Sequence, residues 1–139
     1  MSRKKSREYA FRLVFEKFFH EPNDDCLNEM EDIVLDDTDK DFVNVLLGGI
    51  NENYEQIMDI IKTNTIGYEL ERIYKVDLSI LVLAVYELKF TDTPSNVIIN
   101  EAIELAKKYS TDKSYSFING VLAKVLKSNE WQLSFGYTS

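Results

Sequence analysis

The sequence predicts an all-α fold, with about six to seven helices in a single domain over residues 1–139. Apolar residues recur every three or four positions along most of the chain, which is the spacing of one helical face. Only two prolines and five glycines interrupt the 139 residues, so long helices joined by short turns are favoured. At 45% apolar residues, the chain can build a hydrophobic core of its own.

The first half of the chain contains two strong helical patterns. The first runs from about Lys4 to Glu21 and ends at the turn that Pro22 begins. A weaker helix is expected from about Leu27 to Val34. A longer amphipathic helix then follows from Thr38, the expected N-cap, to about Thr63.

The stretch from Leu78 to Phe90 is apolar nearly all round, which predicts a central helix surrounded by the others. A short helical turn from Tyr68 to Ile73 is expected before this helix, and Asp77 can cap the central helix itself. The run Ile80–Leu83 alone would also fit a buried strand. A helix is favoured because the whole stretch exceeds ten residues and no partner strand is visible elsewhere.

Two further helices complete the prediction. One begins at Pro94, with Thr93 as its N-cap and with Val97, Ile99 and Ile103 among its buried residues. The other begins after Asp112, with Tyr115 expected to face inward. Two glycine positions inside helical patterns, Gly48-Gly49 and Gly120, predict close approach of a neighbouring helix. The tail, residues 129–139, shows no clear period.

The charge is unevenly distributed along the chain. The net charge is -8, which by itself argues against a nucleic-acid partner. Residues 1–20 nevertheless hold six basic and two acidic residues, whereas residues 21–41 hold ten acidic residues and one lysine. The basic arm, residues 1–7, contributes Arg3, Lys4, Lys5 and Arg7. It fits either phosphate contacts that release counterions from RNA or a solvated terminus.

Several classes of protein and of site are excluded by composition. One cysteine and one histidine allow no intrachain disulfide and leave most metal sites and catalytic triads without enough side chains. The series Asp37, Asp39 and Asp41 lacks the glycine and glutamate of a calcium loop. The longest apolar run, Ile80–Tyr86, is far shorter than a membrane helix. These observations predict a cytoplasmic, non-enzymatic protein without a cofactor, a metal or a membrane partner.

Motifs over nearly the whole chain resemble a known family. The first helix opens with Arg7-Glu8-x-Ala10, and the central stretch reads Val76-Asp77-x-x-Ile80-Leu81-x-x-Ala84-x-Tyr86-Glu87-Leu88. The second half contains Pro94-x-x-Val97-Ile98-Ile99-Asn100-Glu101-Ala102-Ile103-Glu104-Leu105-Ala106 and then Phe117-Ile118-Asn119-Gly120-Val121-Leu122. In this order and spacing the motifs resemble the NusB family of bacterial transcription antitermination factors.

The resemblance implies a binding function without an enzymatic step. A family member pairs with the ribosomal protein NusE, binds the single-stranded boxA element of nascent RNA and acts in the RNA polymerase antitermination complex. By analogy with the family, the RNA would be contacted by Arg3, Lys4, Lys5, Arg7, Lys113 and Phe117. Asp77 would meet the protein partner.

Two other functions remain open at this point. The chain also resembles the RNA-binding domain related to rRNA cytosine methyltransferases, although that function needs a following catalytic domain. Alternatively, the helical surface binds only protein and the arm is inert. The sequence departs from the family pattern at Leu78 and Val82, where arginines are common, and at Ser110, where glycine is usual. A homodimer is compatible with all of these functions.

Overall fold

The structure is a computed structural model that describes residues 3–19, 33–65, 67 and 69–136, with side chains as far as residue 127. Within these residues it is all-α, which confirms the predicted fold class. The α-helices are α1 (Lys4–Val14), α2 (Asp37–Glu52), α3 (Tyr54–Thr63), α4 (Lys75–Phe90), α5 (Ser95–Tyr109) and α6 (Ser114–Gly136). A π-helical turn (Phe15–Phe19) extends α1, and a 3-10 turn (Leu70–Arg72) precedes α4.

Helix α4 is the centre of the fold. Every residue from Val76 to Glu87 is buried, and α1, α2, α3, α5 and α6 all pack against it. A helix that is apolar nearly all round is stable only when other elements cover all its faces. The prediction of a central helix from Leu78 to Phe90 is therefore confirmed, with a start three residues earlier.

The predicted long second helix is two helices. Asn53 ends α2 and precedes α3, and its side-chain amide donates a hydrogen bond to the Gly49 carbonyl at 2.8 Å. This side chain competes with the backbone for a carbonyl in the last turn of α2 and favours a break there. The N-cap is Asp36 rather than Thr38, because Asp36 and Asp39 form a reciprocal capping box.

Helices α5 and α6 bury partly different residues from those predicted. Ile98 and Leu105 are in the core, whereas Val97 is 37% exposed and Ile99 is only partly buried. In α6, Tyr115 is exposed, which corrects its predicted inward position. Both helices have apolar residues beside the buried face, so periodicity alone leaves the rotation about the helix axis open by roughly one position.

The two glycine positions have different environments. A Cβ on Gly49 would lie 1.9 Å from the Tyr86 hydroxyl oxygen, so the close packing predicted for Gly48-Gly49 is confirmed at Gly49. It is wrong for Gly48, where a Cβ would meet nothing within 4 Å. Gly120 is exposed and a Cβ would meet nothing within 4 Å, so the predicted helix contact at Gly120 is wrong. Its position on the outer face of α6 explains the difference.

Two predicted segments fall partly outside the described residues. The weak helix near Leu27–Val34 lies there except for Ile33 and Val34, which are not helical. The tail was expected to lack a clear period, yet α6 continues to Gly136. No helix in the described ranges has the length and apolar character needed to cross a membrane.

Candidate nucleic-acid interface

An open groove of about 300 Å³ lies between the start of α4 and the start of α6. Its lining comprises two cations, two aromatic rings, a carboxylate and two smaller side chains, namely Arg72, Lys113, Tyr74, Phe117, Asp77, Ile73 and Ser114. The predicted RNA contacts Lys113 and Phe117 therefore share one groove with Asp77. Phe117 is partly buried against the core, whereas Lys113 is exposed.

Two groove residues were missed at the level of sequence. Tyr74 is 47% exposed, although a large aromatic side chain in a monomeric domain is usually buried to a greater extent. The Arg72 side chain is 83% exposed, and its Nε lies 3.2 Å from Glu69 Oε2 in a surface ion pair. Such a pair contributes little and leaves the guanidinium able to bind an anion. The sequence did contain a signal for them, since Arg72 and Tyr74 place a cation and an aromatic ring in the short connection before the central helix.

Asp77 forms the floor of the groove and is 5% exposed. Its Oδ1 accepts a hydrogen bond from the Ser110 hydroxyl at 2.5 Å, and its Oδ2 accepts one from the Ser114 hydroxyl at 2.8 Å. A carboxylate that is 5% exposed and already accepts a hydrogen bond on each oxygen presents little surface to another protein. The geometry therefore argues against the predicted partner contact of Asp77, and its position in the first turn of α4 replaces the predicted cap.

The basic arm is only partly available at the surface. Arg7 is inside α1 and buried, with its Nε 2.9 and 3.0 Å from the two carboxylate oxygens of Glu87. Arg3 stacks on the Phe42 ring at 4.4 Å from its centroid, and its Nη1 lies 3.6 Å from Asp39 Oδ1. The geometry therefore argues against the predicted RNA contact of Arg7, because a phosphate would have to displace Glu87. Arg7 instead joins α1 to α4.

Lys4 and Lys5 remain exposed in the first turn of α1. Lys4 borders a cleft of about 170 Å³ between α1 and α5, together with Lys108, Leu105 and three glutamates, Glu8, Glu101 and Glu104. Lys108 Nζ lies 2.6 Å from Glu8 Oε2, and the Tyr109 hydroxyl donates to the same oxygen. Carboxylates outnumber lysines in this cleft, so it repels phosphate on one side of the arm.

The groove and the arm lie at opposite ends of α4. Arg7 pairs with Glu87 near the last turn of that helix, whereas Ser110 and Ser114 bond to Asp77 in its first turn. Ten residues at 1.5 Å of rise separate Asp77 from Glu87, or about 15 Å along the axis. The predicted RNA contacts thus form two surfaces that are offset from each other along α4.

The described residues contain no group of three or more His, Cys, Asp or Glu side chains that could hold a metal ion. The arrangement consists of cations, exposed rings and hydrogen-bonded hydroxyls. These groups can bind phosphate and stack on bases.

Comparison with known proteins identifies a family. The model of the NusB family matches residues 4–127. Transcription antitermination protein NusB of Clostridium botulinum (strain Kyoto / Type A2) is 46% identical, and the alignment covers 91% of this chain and all of that protein. The protein of the same name from Clostridium perfringens (strain SM101 / Type A) is 47% identical over 92% of this chain and 98% of its own length.

A solved structure supports the same conclusion. The structure described as T. maritima NusB superposes with a TM-score of 0.78 at 36% sequence identity. The match covers 91% of this chain and 92% of that one.

Proposed function

Because the chain belongs to the NusB family, we propose that it is an RNA-binding transcription antitermination factor that binds boxA-type single-stranded RNA together with the ribosomal protein NusE. The observation that carries this proposal is the groove, in which two cations and two aromatic rings line one open surface. The function requires binding alone and no catalytic step.

The chemistry of the groove fits a single-stranded nucleic acid. Proteins bind such strands by placing cations along the backbone and aromatic side chains against the bases. Lys113 and Arg72 supply the cations, and the exposed part of Tyr74 supplies a ring for a base. Phe117 packs partly on the core, so only the exposed part of its ring is available to the RNA.

The arm extends the proposed surface at the other end of α4. Lys4 and Lys5 are exposed there, and Arg3 retains a partly exposed guanidinium. Each phosphate that they neutralise releases counterions, so affinity falls as salt rises. A net charge of -8 weakens RNA binding by the chain alone and favours a basic protein partner such as a ribosomal protein.

A salt-dependent RNA titration tests the proposal. Binding of a labelled boxA RNA and of a scrambled RNA is measured by anisotropy, with and without NusE, for the parent chain and for Lys113→Ala/Phe117→Ala. We expect preference for boxA RNA, tighter binding with NusE, and at least tenfold weaker binding by the double variant.

The matched control is Lys62→Ala, which removes an exposed lysine from α3, away from the groove. It should bind RNA like the parent. If the parent binds NusE but neither RNA, the function is that of a protein-interaction module and the proposal is rejected. Equal affinity of parent and double variant would remove the groove from the RNA-binding surface.

A further inference from the structure

Asp77 is a buried carboxylate beneath the groove that no step of RNA binding uses directly. It belongs to α4, yet its two hydrogen-bond donors come from the turn between α5 and α6 and from the first residue of α6. Helix α6 carries Phe117, and Lys113 immediately precedes its first residue. The carboxylate thus links the central helix to the segment that presents both proposed RNA contacts.

The protons of this cluster can be assigned, because each hydroxyl has one proton to donate. Ser110 donates to Oδ1 and Ser114 donates to Oδ2 of Asp77. The Thr111 hydroxyl, 3.0 Å from Ser114 Oγ, then donates to Ser114. The 2.8 Å separation of the Ser110 and Ser114 oxygens adds no further bond, since both protons point at the carboxylate.

Asp77 lies where two helices begin. Its side chain is in the first turn of α4 and accepts a hydrogen bond from the first residue of α6. Ser114 is 6% exposed. If its hydroxyl loses Asp77 as an acceptor, water therefore cannot freely take the place of that acceptor. Removing the carboxylate therefore disturbs the turn formed by residues 110–114 first.

We propose that Asp77 is a positioning residue: through Ser110 and Ser114 it holds the start of α6 so that Lys113 and Phe117 line one groove. This inference rests on the proposed RNA-binding function of the groove. It assigns Asp77 an effect on RNA affinity without contact with RNA or with a partner protein. Ser110 has the same role from the turn between α5 and α6.

Two substitutions at Asp77 separate positioning from charge. Asp77→Asn keeps an oxygen for the Ser110 proton, and its amide can donate to Ser114 Oγ, whose proton then turns to Thr111. Asp77→Ala removes both bonds. We expect boxA RNA to bind about tenfold more weakly to Asp77→Ala and within about twofold of the parent to Asp77→Asn. If both variants lost affinity equally, the negative charge itself would matter and the positioning role would be overturned.

A double-mutant cycle distinguishes a positioning role of Asp77 from general destabilisation of the protein. If Asp77 acts only through Lys113 and Phe117, Asp77→Ala should cause no further loss in the Lys113→Ala/Phe117→Ala background. An additional tenfold loss there would reject the inference. The destabilised control is Val43→Ala on the buried face of α2, which should lower the melting temperature and leave RNA affinity unchanged.

If Asp77→Ala does not fold, Ser110→Ala takes its place, because it removes a single donor from a turn outside the helices. Hydrogen exchange of residues 110–117 should then accelerate while exchange in α2 stays unchanged. Unchanged exchange and unchanged affinity would overturn the inference while leaving the proposed function intact. Absence of RNA binding by the parent would reject both.

Discussion

Arg7 and Glu87 form a buried ion pair between the first helix and the central one. The Arg7 Nε lies 2.9 and 3.0 Å from the two carboxylate oxygens, and the side chains are 8% and 2% exposed. The Arg7 guanidinium also lies 5.5 Å from the centroid of the Phe42 ring, so α1, α2 and α4 meet at this residue. A cation that the sequence places in a basic arm is therefore part of the core.

Arg7→Ala should lower the free energy of unfolding by about 3–5 kcal/mol, because it leaves the Glu87 carboxylate buried without its counter-charge. The apolar pair Arg7→Met/Glu87→Leu should recover most of that loss, since it removes both charges and retains volume. Urea unfolding of the three variants measures the difference. A double variant as unstable as Arg7→Ala would contradict this account.

The same double variant tests which arm residues contact RNA. Arg7→Met/Glu87→Leu should bind boxA RNA like the parent, because the Arg7 guanidinium of the parent does not reach the surface. Lys4→Ala/Lys5→Ala should bind more weakly and should flatten the dependence of log affinity on log salt by about 0.7 per lost phosphate contact. A flattened slope for the Arg7 variant, with a parent-like slope for the lysine variant, would reverse the assignment.

Lys113 and Phe117 should contribute to RNA binding in different ways. Lys113→Gln should reduce both affinity and salt dependence, because it removes one phosphate contact. Phe117→Leu retains apolar packing but loses the aromatic face, and should cost about 1–3 kcal/mol of binding with an unchanged salt slope. Titrations at several salt concentrations measure both effects. Identical slopes for the two variants would contradict the division of roles.

The acidic cleft beside the arm should oppose RNA binding. Glu104→Gln removes one of the three carboxylates near Lys4 and should raise RNA affinity by about two- to threefold at low salt. The gain should disappear at high salt, because screening shortens the reach of the charge. Glu55→Gln on α3 is the control, since it makes the same change in net charge at an exposed position. An equal gain in the control would mean that only net charge matters.

Gly49 in α2 and Gly120 in α6 should respond oppositely to alanine. Gly49→Ala should destabilise the protein by about 1–3 kcal/mol, because the new methyl group would collide with the buried Tyr86 ring, which stacks on Phe90 at 5.4 Å. Gly120→Ala should stabilise by up to about 1 kcal/mol, since the position is helical and open. Thermal unfolding measures both changes. Destabilisation by Gly120→Ala would restore the helix contact that the structure excludes.

Much of the site could be anticipated from sequence, and the reasons for the exceptions are specific. Lys113 and Phe117 are four residues apart, so the sequence alone indicates that they lie on the same side of the start of α6. Arg7 looks like any other cation of the arm until its partner, 80 positions away, is known. Tyr74 and Arg72 become part of a groove only because α6 begins beside them.

By itself, the sequence determined the helical class, the central position of α4 and the family. These follow from periodicity, from a stretch that is apolar nearly all round and from motifs in fixed order, all of which are properties of neighbouring residues. The tertiary structure alone decided that Arg7 is buried, that Asp77 bonds to Ser110 and Ser114, and that arm and groove occupy opposite ends of α4. Such pairings depend on how the helices are rotated and stacked against one another. Contacts between distant residues fix that packing, and local periodicity leaves it open.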